Sequence, residues 1–87
     1  METRVAVIGI IVECPDSVEQ LNSVLHNFNQ YIIGRMGIPY REKNISIISI
    51  AVDAPQDTIS SMTGKIGKIR GISVKTAYSN VISGEPK

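Results

Sequence analysis

Few residues in this 87-residue chain have side chains suited to catalysis or metal binding, and the first candidates are its single cysteine and its single histidine. Cys14 lies just before a helix is predicted to begin, and the partial positive charge of a helix amino terminus favours a reactive or metal-binding thiolate. Zinc takes about four ligands, whereas Cys14 and His26 supply only two, without the spacing of a ligand pair. The sequence therefore predicts no metal site, no cofactor and an inert cysteine, with redox or metal sensing by Cys14 left open.

Two pairs of carboxylates could serve as an acid and a base, namely Glu13 with Asp16 and Asp53 with Asp57. Both pairs lie where helix amino termini are predicted, and a helix dipole favours negative charge there without any catalysis. The sequence has no nucleophile elbow, serine–histidine–aspartate set or phosphate-binding glycine loop. We therefore expect no catalytic residues and a protein that is not an enzyme.

A third group combines an arginine with glycines. Gly34 and Gly37 lie close to Arg35 in a predicted strand, and glycine inside a strand indicates a bulge or a close approach by another backbone or a ligand. Arg35 could bind an anion, while a subunit contact explains the same pattern equally well. The candidate ligand-binding residues are Cys14, Asp16, Gly34, Arg35 and Gly37.

The elements that must position these residues follow from an internal repeat. The stretch from Val5 to Pro15 matches the stretch from Ile45 to Pro55 at an offset of 40 residues, and both end in an acid, a small residue and a proline. Beyond each proline, apolar residues recur with the spacing of one helix face. These residues are Val18, Leu21, Leu25 and Phe28 in the first half and Ile59, Met62, Ile66 and Ile69 in the second. Each half is therefore predicted to be a strand, a proline turn and a helix.

A further strand is predicted after each helix, from Tyr31 to Met36 and from Ile72 to Tyr78. The resulting order βαββαβ is that of a ferredoxin-like α+β sandwich, in which a four-stranded antiparallel sheet carries two helices on one face. We expect residues 1–80 to form a single domain of this kind. Residues 81–87 are expected to form a flexible carboxy-terminal tail.

The ends of the predicted helices also have sequence signals. Asp16 with Glu19 has the form of a capping box for the first helix. Gln56 or Asp57 would cap the second helix in the same way. Gly71 indicates a tight exit from the second helix into the last strand.

The first and third strands are predicted to be central, and alternation gives each of them two faces. The bulky branched set is expected under the helices: Ile8, Ile10, Val12, Ile48, Ile50 and Val52. The other set forms an apolar stripe on the uncovered face: Val5, Val7, Ile11, Ile45 and Ile47, with Gly9, Ser49 and Ala51 making a shallow depression beside it. A chain of this size buries a limited share of its surface, so we predict that the stripe is the interface of a homo-oligomer, a dimer or a tetramer. Pairing of edge strands is the competing interface.

The net charge and the number of cysteines limit the kinds of partner and the cellular compartment that we expect. Nine Lys and Arg against eight Asp and Glu leave a formal charge of +1, far from the concentrated positive charge that drives nucleic-acid binding. A single cysteine excludes an internal disulfide and favours a reducing, cytoplasmic compartment. No apolar run approaches the roughly 20 residues of a membrane span. We therefore expect a cytoplasmic protein with no membrane partner and no direct nucleic-acid partner.

The segment I-I-G-R-M-G-I-P-Y-R-E-K (Ile32 to Lys43), followed by I-S-I-I-S-I-A-V-D-A-P-Q-D (Ile45 to Asp57), resembles the small proteins described as iron-only hydrogenase system regulators. The resemblance covers the chain from Arg4 to Tyr78, and G-R-M-G-I-P-Y is its most specific part. Such proteins are similar in fold to ACT regulatory domains and to the carboxy-terminal domain of the nickel-responsive repressor. The resemblance implies a non-enzymatic regulator of the hydrogenase system that self-associates and binds a small effector or a partner protein.

Two other functions stay open. One is an ACT-like sensor module for an amino acid or an anion; after Pro15 this chain has Asp16 where such domains commonly have glycine. The other is a transcriptional regulator that binds DNA directly. The amino-terminal DNA reader and the several histidines of the nickel-responsive repressor have no counterpart in these 87 residues. Metabolite screening by thermal shift and a DNA mobility-shift assay would separate the alternatives.

Overall fold

A computed structural model describes residues 2–82, which form a four-stranded antiparallel sheet with two helices. The helices and strands are β1 (Arg4–Val12), α1 (Val18–Asn27), β2 (Ile32–Tyr40), β3 (Ile45–Ala54), α2 (Gln56–Gly67) and β4 (Ile72–Ile82). The strand order across the sheet is β2-β3-β1-β4, so β1 and β3 are central and β2 and β4 are the edges. The predicted ferredoxin-like α+β sandwich is therefore confirmed.

Two strands extend further than the sequence indicates. β4 reaches Ile82, past the predicted domain end at residue 80, while residues 83–87 of the predicted tail lie outside the described residues. β2 continues beyond Met36 to Tyr40 although it contains Pro39, which has no amide hydrogen to donate. An edge strand tolerates proline because one side of its backbone has no partner strand.

The faces predicted for the central strands are confirmed. The side chains buried beneath the helices are Ala6, Ile8, Ile10, Val12, Ile48, Ile50, Val52 and Ala54. The buried residues of and just after the helices are Leu21, Leu25, Ile59, Met62, Ile66 and Ile69. Ile8 and Ile50 are direct partners in the β1–β3 ladder and are both 0% exposed. The centre of the core therefore lies under the middle of the sheet.

The predicted capping box of the first helix is wrong. Residues Pro15–Ser17 form a 3₁₀ turn, and α1 begins only at Val18, without a side-chain cap hydrogen bond. The Ser17 hydroxyl instead donates to the backbone carbonyl of Arg70 at 2.6 Å, which explains how this polar residue is buried. The start of α2 also has no side-chain cap.

Gln56, which was a candidate cap, instead connects α2 to the sheet. Its side-chain oxygen accepts a hydrogen bond from Arg4 Nη1 at 3.0 Å, and its side-chain nitrogen donates to the Tyr78 hydroxyl at 2.9 Å. The Arg4 guanidinium lies 4.5 Å from the centre of the Tyr78 ring and also donates to the Ser79 carbonyl at 3.0 Å. These contacts join β1, β4 and α2 at one end of the sheet.

Candidate functional site

The candidate ligand-binding residues fall in two separate places. Cys14 and Asp16 lie in the turn between β1 and α1. Gly34, Arg35 and Gly37 lie along edge strand β2. Gly37, the nearest of the three, is two strands across the sheet and several residues along it from Cys14, a separation of roughly 15 Å. The structure therefore does not gather these five residues into one site.

Cys14 lies in a turn that backbone contacts close tightly. The Glu13 amide donates to the Gly71 carbonyl at 2.7 Å, and the Ser17 amide donates to the Cys14 carbonyl at 2.9 Å. A β-carbon added to Gly71 would lie 2.6 Å from the β-carbon of Cys14. Within residues 2–82, no group of three or more His, Cys, Asp and Glu lies close enough together to hold a metal ion. Cys14, which is half-buried, therefore contributes to the packing of two turns against each other.

Arg35 and Gly34 belong to opposite surfaces of the sheet. Arg35 is the ladder partner of Ile50, on the helix side, and its Nη2 donates to Asn22 Oδ1 of α1 at 3.3 Å. The β2–β3 register shifts between Ile32 and Gly34, so the bulge that the glycines indicated is present. Gly34 is the partner of Ala51 and faces away from the helices.

We expect the substitution Arg35→Ala to leave the fold intact. The side chain is exposed and makes one exposed hydrogen bond, and surface substitutions of this kind change the free energy of unfolding by less than about 0.5 kcal/mol. Urea unfolding checks this, with Asn22→Ala as the matched control. A thermal shift caused by inorganic phosphate in the parent protein should be lost in Arg35→Ala and kept in Asn22→Ala. The same phosphate response in all three proteins would remove Arg35 from the candidate site.

The open face, defined as the sheet surface opposite the helices, carries the predicted apolar stripe. Val5, Val7, Ile11 and Ile47 are between 39% and 46% exposed, and Ile45 is half-buried. Because ladder partners share a face, the β1–β3 pairs place Val5, Val7, Ile11 and Ile47 on this surface. Alternation along β3 puts Ile45 on the same surface, two residues before Ile47. The side-chain orientations predicted for the stripe are confirmed, while its use as an interface stays a prediction.

Edge strand β2 adds three large side chains to the open face that sequence reasoning did not include. Met36, Ile38 and Tyr40 are 59%, 49% and 39% exposed. Their ladder partners are Ser49, Ile47 and Ile45 of β3, so they extend the stripe by one strand. Their alternation along the strand was the sequence signal for this. The predicted strand ended at Met36, before Pro39, and so it did not include Ile38 and Tyr40.

A depression of about 310 Å³ lies on the open face. Gly9 and Ser49 line it as predicted, between Ile11 and Ile47. Ser73 and Lys75 of β4 also line it, whereas Ala51, which the sequence suggested, does not. Around this depression, the open face is therefore mainly apolar on β2, β3 and β1 and becomes polar towards β4.

The sheet order, the two helices on one side and the apolar surface on the other define this protein as a ferredoxin-like α+β domain with one uncovered sheet face. Residues 4–76 match the model of the TM1266-like family, which is described as "Iron-only hydrogenase system regulator, putative". The chain belongs to this family, as the G-R-M-G-I-P-Y segment indicated.

Two solved structures place the fold among known proteins. The uncharacterized protein TM1266 from Thermotoga maritima is 38% identical with a TM-score of 0.84, over 87% of this chain and 96% of that one. A formyltetrahydrofolate deformylase from Pseudomonas putida KT2440 is 10% identical with a TM-score of 0.64, over 88% of this chain and 29% of the deformylase. The second likeness shows the fold alone. No curated protein matches the sequence.

The helices of the described part of the chain can be compared with the length and hydrophobicity of a membrane span. Neither of its two α-helices is long and apolar enough to span a bilayer.

Proposed function

We propose that the protein is a non-enzymatic regulatory domain of the iron-only hydrogenase system, which works as a homo-oligomer and binds a small effector or a partner protein. The description of its family supports the regulatory role. The observation that carries self-association is the apolar open face, which no described segment of the chain covers.

The exposed hydrophobic side chains are concentrated on this one surface. In the described part of the chain, seven of the nine large hydrophobic side chains that are exposed lie on the open face: Val5, Val7, Ile11, Met36, Ile38, Tyr40 and Ile47. The other two are Ile33, at the bulge of β2, and Tyr78, whose hydroxyl bonds Gln56. Such concentration in a contiguous patch indicates an interaction site, because single exposed apolar residues are normally scattered.

The area of the open face fits a second copy of this chain. The seven side chains expose on the order of 500 Å² of apolar surface, near the upper end for the largest patch on a monomer. Two such patches facing each other would bury roughly 1,000 Å², the size at which specific interfaces begin.

The glycines of the open face also favour contact with another sheet. A β-carbon added to Gly34 would meet nothing within 4 Å, and one added to Gly9 would meet only the Lys75 carbonyl at 3.8 Å. No contact within the chain therefore requires glycine at either position. Two flat sheet faces pack about 10 Å apart, and small residues let a partner's larger side chains fill the space between them.

We expect Val7→Lys to weaken self-association about tenfold or more, because it places an unpaired charge inside the proposed interface. Sedimentation velocity over a concentration series into the tens of micromolar measures this. The matched control is Ser61→Lys, which adds the same charge on the exposed surface of α2. It should associate like the parent protein.

The Val7 variant also separates the two interfaces that the fold offers. Val7 lies on central strand β1, which takes no part in pairing between edge strands. An edge-paired oligomer would therefore survive Val7→Lys. A parent protein that stays monomeric at tens of micromolar would contradict the proposed self-association altogether.

The effector part of the proposal has its own measurement. Native mass spectrometry of the purified protein gives the oligomer size and the mass of any co-purified small molecule. A metabolite that binds the folded state should also raise the melting temperature by mass action. If no screened metabolite does so and no molecule co-purifies, a protein partner remains as the effector.

A further inference from the structure

Two opposite charges interrupt the otherwise apolar and small-residue surface of the open face. Asp53 of β3 is the ladder partner of Val5, and Lys75 of β4 is the ladder partner of Gly9. They are the charged residues that the strand ladders place on this face, and both are exposed. Neither has an ion-pair partner within the described part of the chain.

The two charges lie at diagonal positions about a common centre. Asp53 lies one strand to one side of β1 and Lys75 one strand to the other side, at the levels of Val5 and Gly9. Val7 lies midway between these levels on β1. The charges are therefore separated by about 10 Å across the strands and about 14 Å along them, with Val7 at the midpoint.

The two charges exchange positions under rotation about one particular two-fold axis. This axis lies in the plane of the interface, passes Val7 and is perpendicular to the line that joins the charges. Such an axis puts Asp53 of each copy over Lys75 of the other, which makes two equivalent contacts from one self-complementary surface. The strands of the two sheets then cross at roughly 70°, near the orthogonal class of sheet packing. A two-fold axis parallel or perpendicular to the strands does not place Asp53 of one copy over Lys75 of the other.

We infer that two copies of this chain pack by their open faces about this oblique axis, with Asp53 of one copy paired to Lys75 of the other and the reverse. The inference rests on the proposed self-association and adds to it the orientation of the two subunits. The apolar side chains supply the attraction, and the two ion pairs select this orientation over the aligned ones, because like or unpaired charges in the interface disfavour the alternatives.

The test is a charge swap. Asp53→Lys puts lysine opposite lysine at both contacts, and Lys75→Asp puts aspartate opposite aspartate. We expect each single variant to associate about tenfold more weakly than the parent protein, or weaker still, in sedimentation velocity, because like charges then oppose each other in the interface. The double variant, which exchanges the two charges, should associate within a few-fold of the parent protein.

Mixing the two single variants gives a second readout. A subunit with Asp53→Lys and a subunit with Lys75→Asp have opposite charges at both contacts, so native mass spectrometry of the mixture should show mainly the heterodimer. Thermal unfolding of each variant in dilute solution serves as the folding control. The neutral variants Asp53→Asn and Lys75→Gln test the contacts without repulsion and should weaken association less than the reversals.

The outcomes distinguish the orientation from the association itself. If the parent protein dimerises and Val7→Lys separates it, but the double swap is no better than the single reversals, the inferred orientation is wrong and the proposed function stands. The same holds if the mixed variants form no heterodimer. If the parent protein is monomeric, the proposed function fails first.

Discussion

Replacing Gly71 by alanine is expected to lower the free energy of unfolding by about 3 kcal/mol or more, because it combines backbone strain with a steric clash. Gly71 has a φ of 74°, a left-handed conformation that costs other residues roughly 1 to 2 kcal/mol. The added β-carbon would also lie 2.6 Å from Cys14 Cβ and 3.1 Å from the Cys14 backbone nitrogen. Backbone atoms cannot rotate away as a flexible side chain can, so the two turns must separate. This separation strains the 2.7 Å hydrogen bond from the Glu13 amide to the Gly71 carbonyl.

Gly64 provides the matched control for this prediction. It lies within α2, and a β-carbon added there would meet nothing within 4 Å. Gly64→Ala should therefore stabilise the protein by up to about 1 kcal/mol, the difference in helix propensity. Urea unfolding of both variants makes the comparison. If the free energy of unfolding of Gly71→Ala lies within about 1 kcal/mol of that of the parent protein, the contact between the two turns is not needed for stability.

The features of the fold that the sequence predicted are those encoded by neighbouring residues. The repeat set by Pro15 and Pro55 gave the strand, turn and helix order of both halves, and alternation along β1 and β3 gave the two faces of the sheet. The turn at Gly71 was predictable for the same reason, because the left-handed backbone of the turn by itself favours glycine. The close approach of Cys14 to Gly71 was not predictable, since it joins residues far apart in the chain.

The features that the sequence did not predict depend on contacts between distant residues. The hydroxyl of Ser17 and the amide of Gln56 could each have been local caps, but they bond to partners on β4 or the turn before it. Pro39 indicates the end of a strand until one knows that β2 is an edge. The separation of Cys14 from Arg35 is likewise a property of the strand order, so neither residue type nor spacing could have revealed it.

Ile50→Ala should cause the largest loss of stability among truncations of β3. Ile50 is 0% exposed and faces Ile8 across the central ladder. Removing buried methyl and methylene groups leaves a cavity beneath α1 and α2, which typically costs 2 to 5 kcal/mol, so we expect a loss of about 3 kcal/mol. Because this core lies within one subunit, the loss should be the same at every protein concentration. Urea unfolding at two concentrations that differ by about a hundredfold measures both points.

Ile47→Ala is the matched variant on the other face of the same strand. Ile47 is 43% exposed in the isolated chain, so its truncation should cost less than about 1 kcal/mol in dilute solution. At high concentration the parent protein gains stability from association by mass action, and Ile47→Ala should lose much of that gain. The difference between Ile47→Ala and the parent protein therefore grows with concentration, whereas the difference for Ile50→Ala does not. A concentration-independent effect of Ile47→Ala would mean that the open face is not the surface through which these subunits associate.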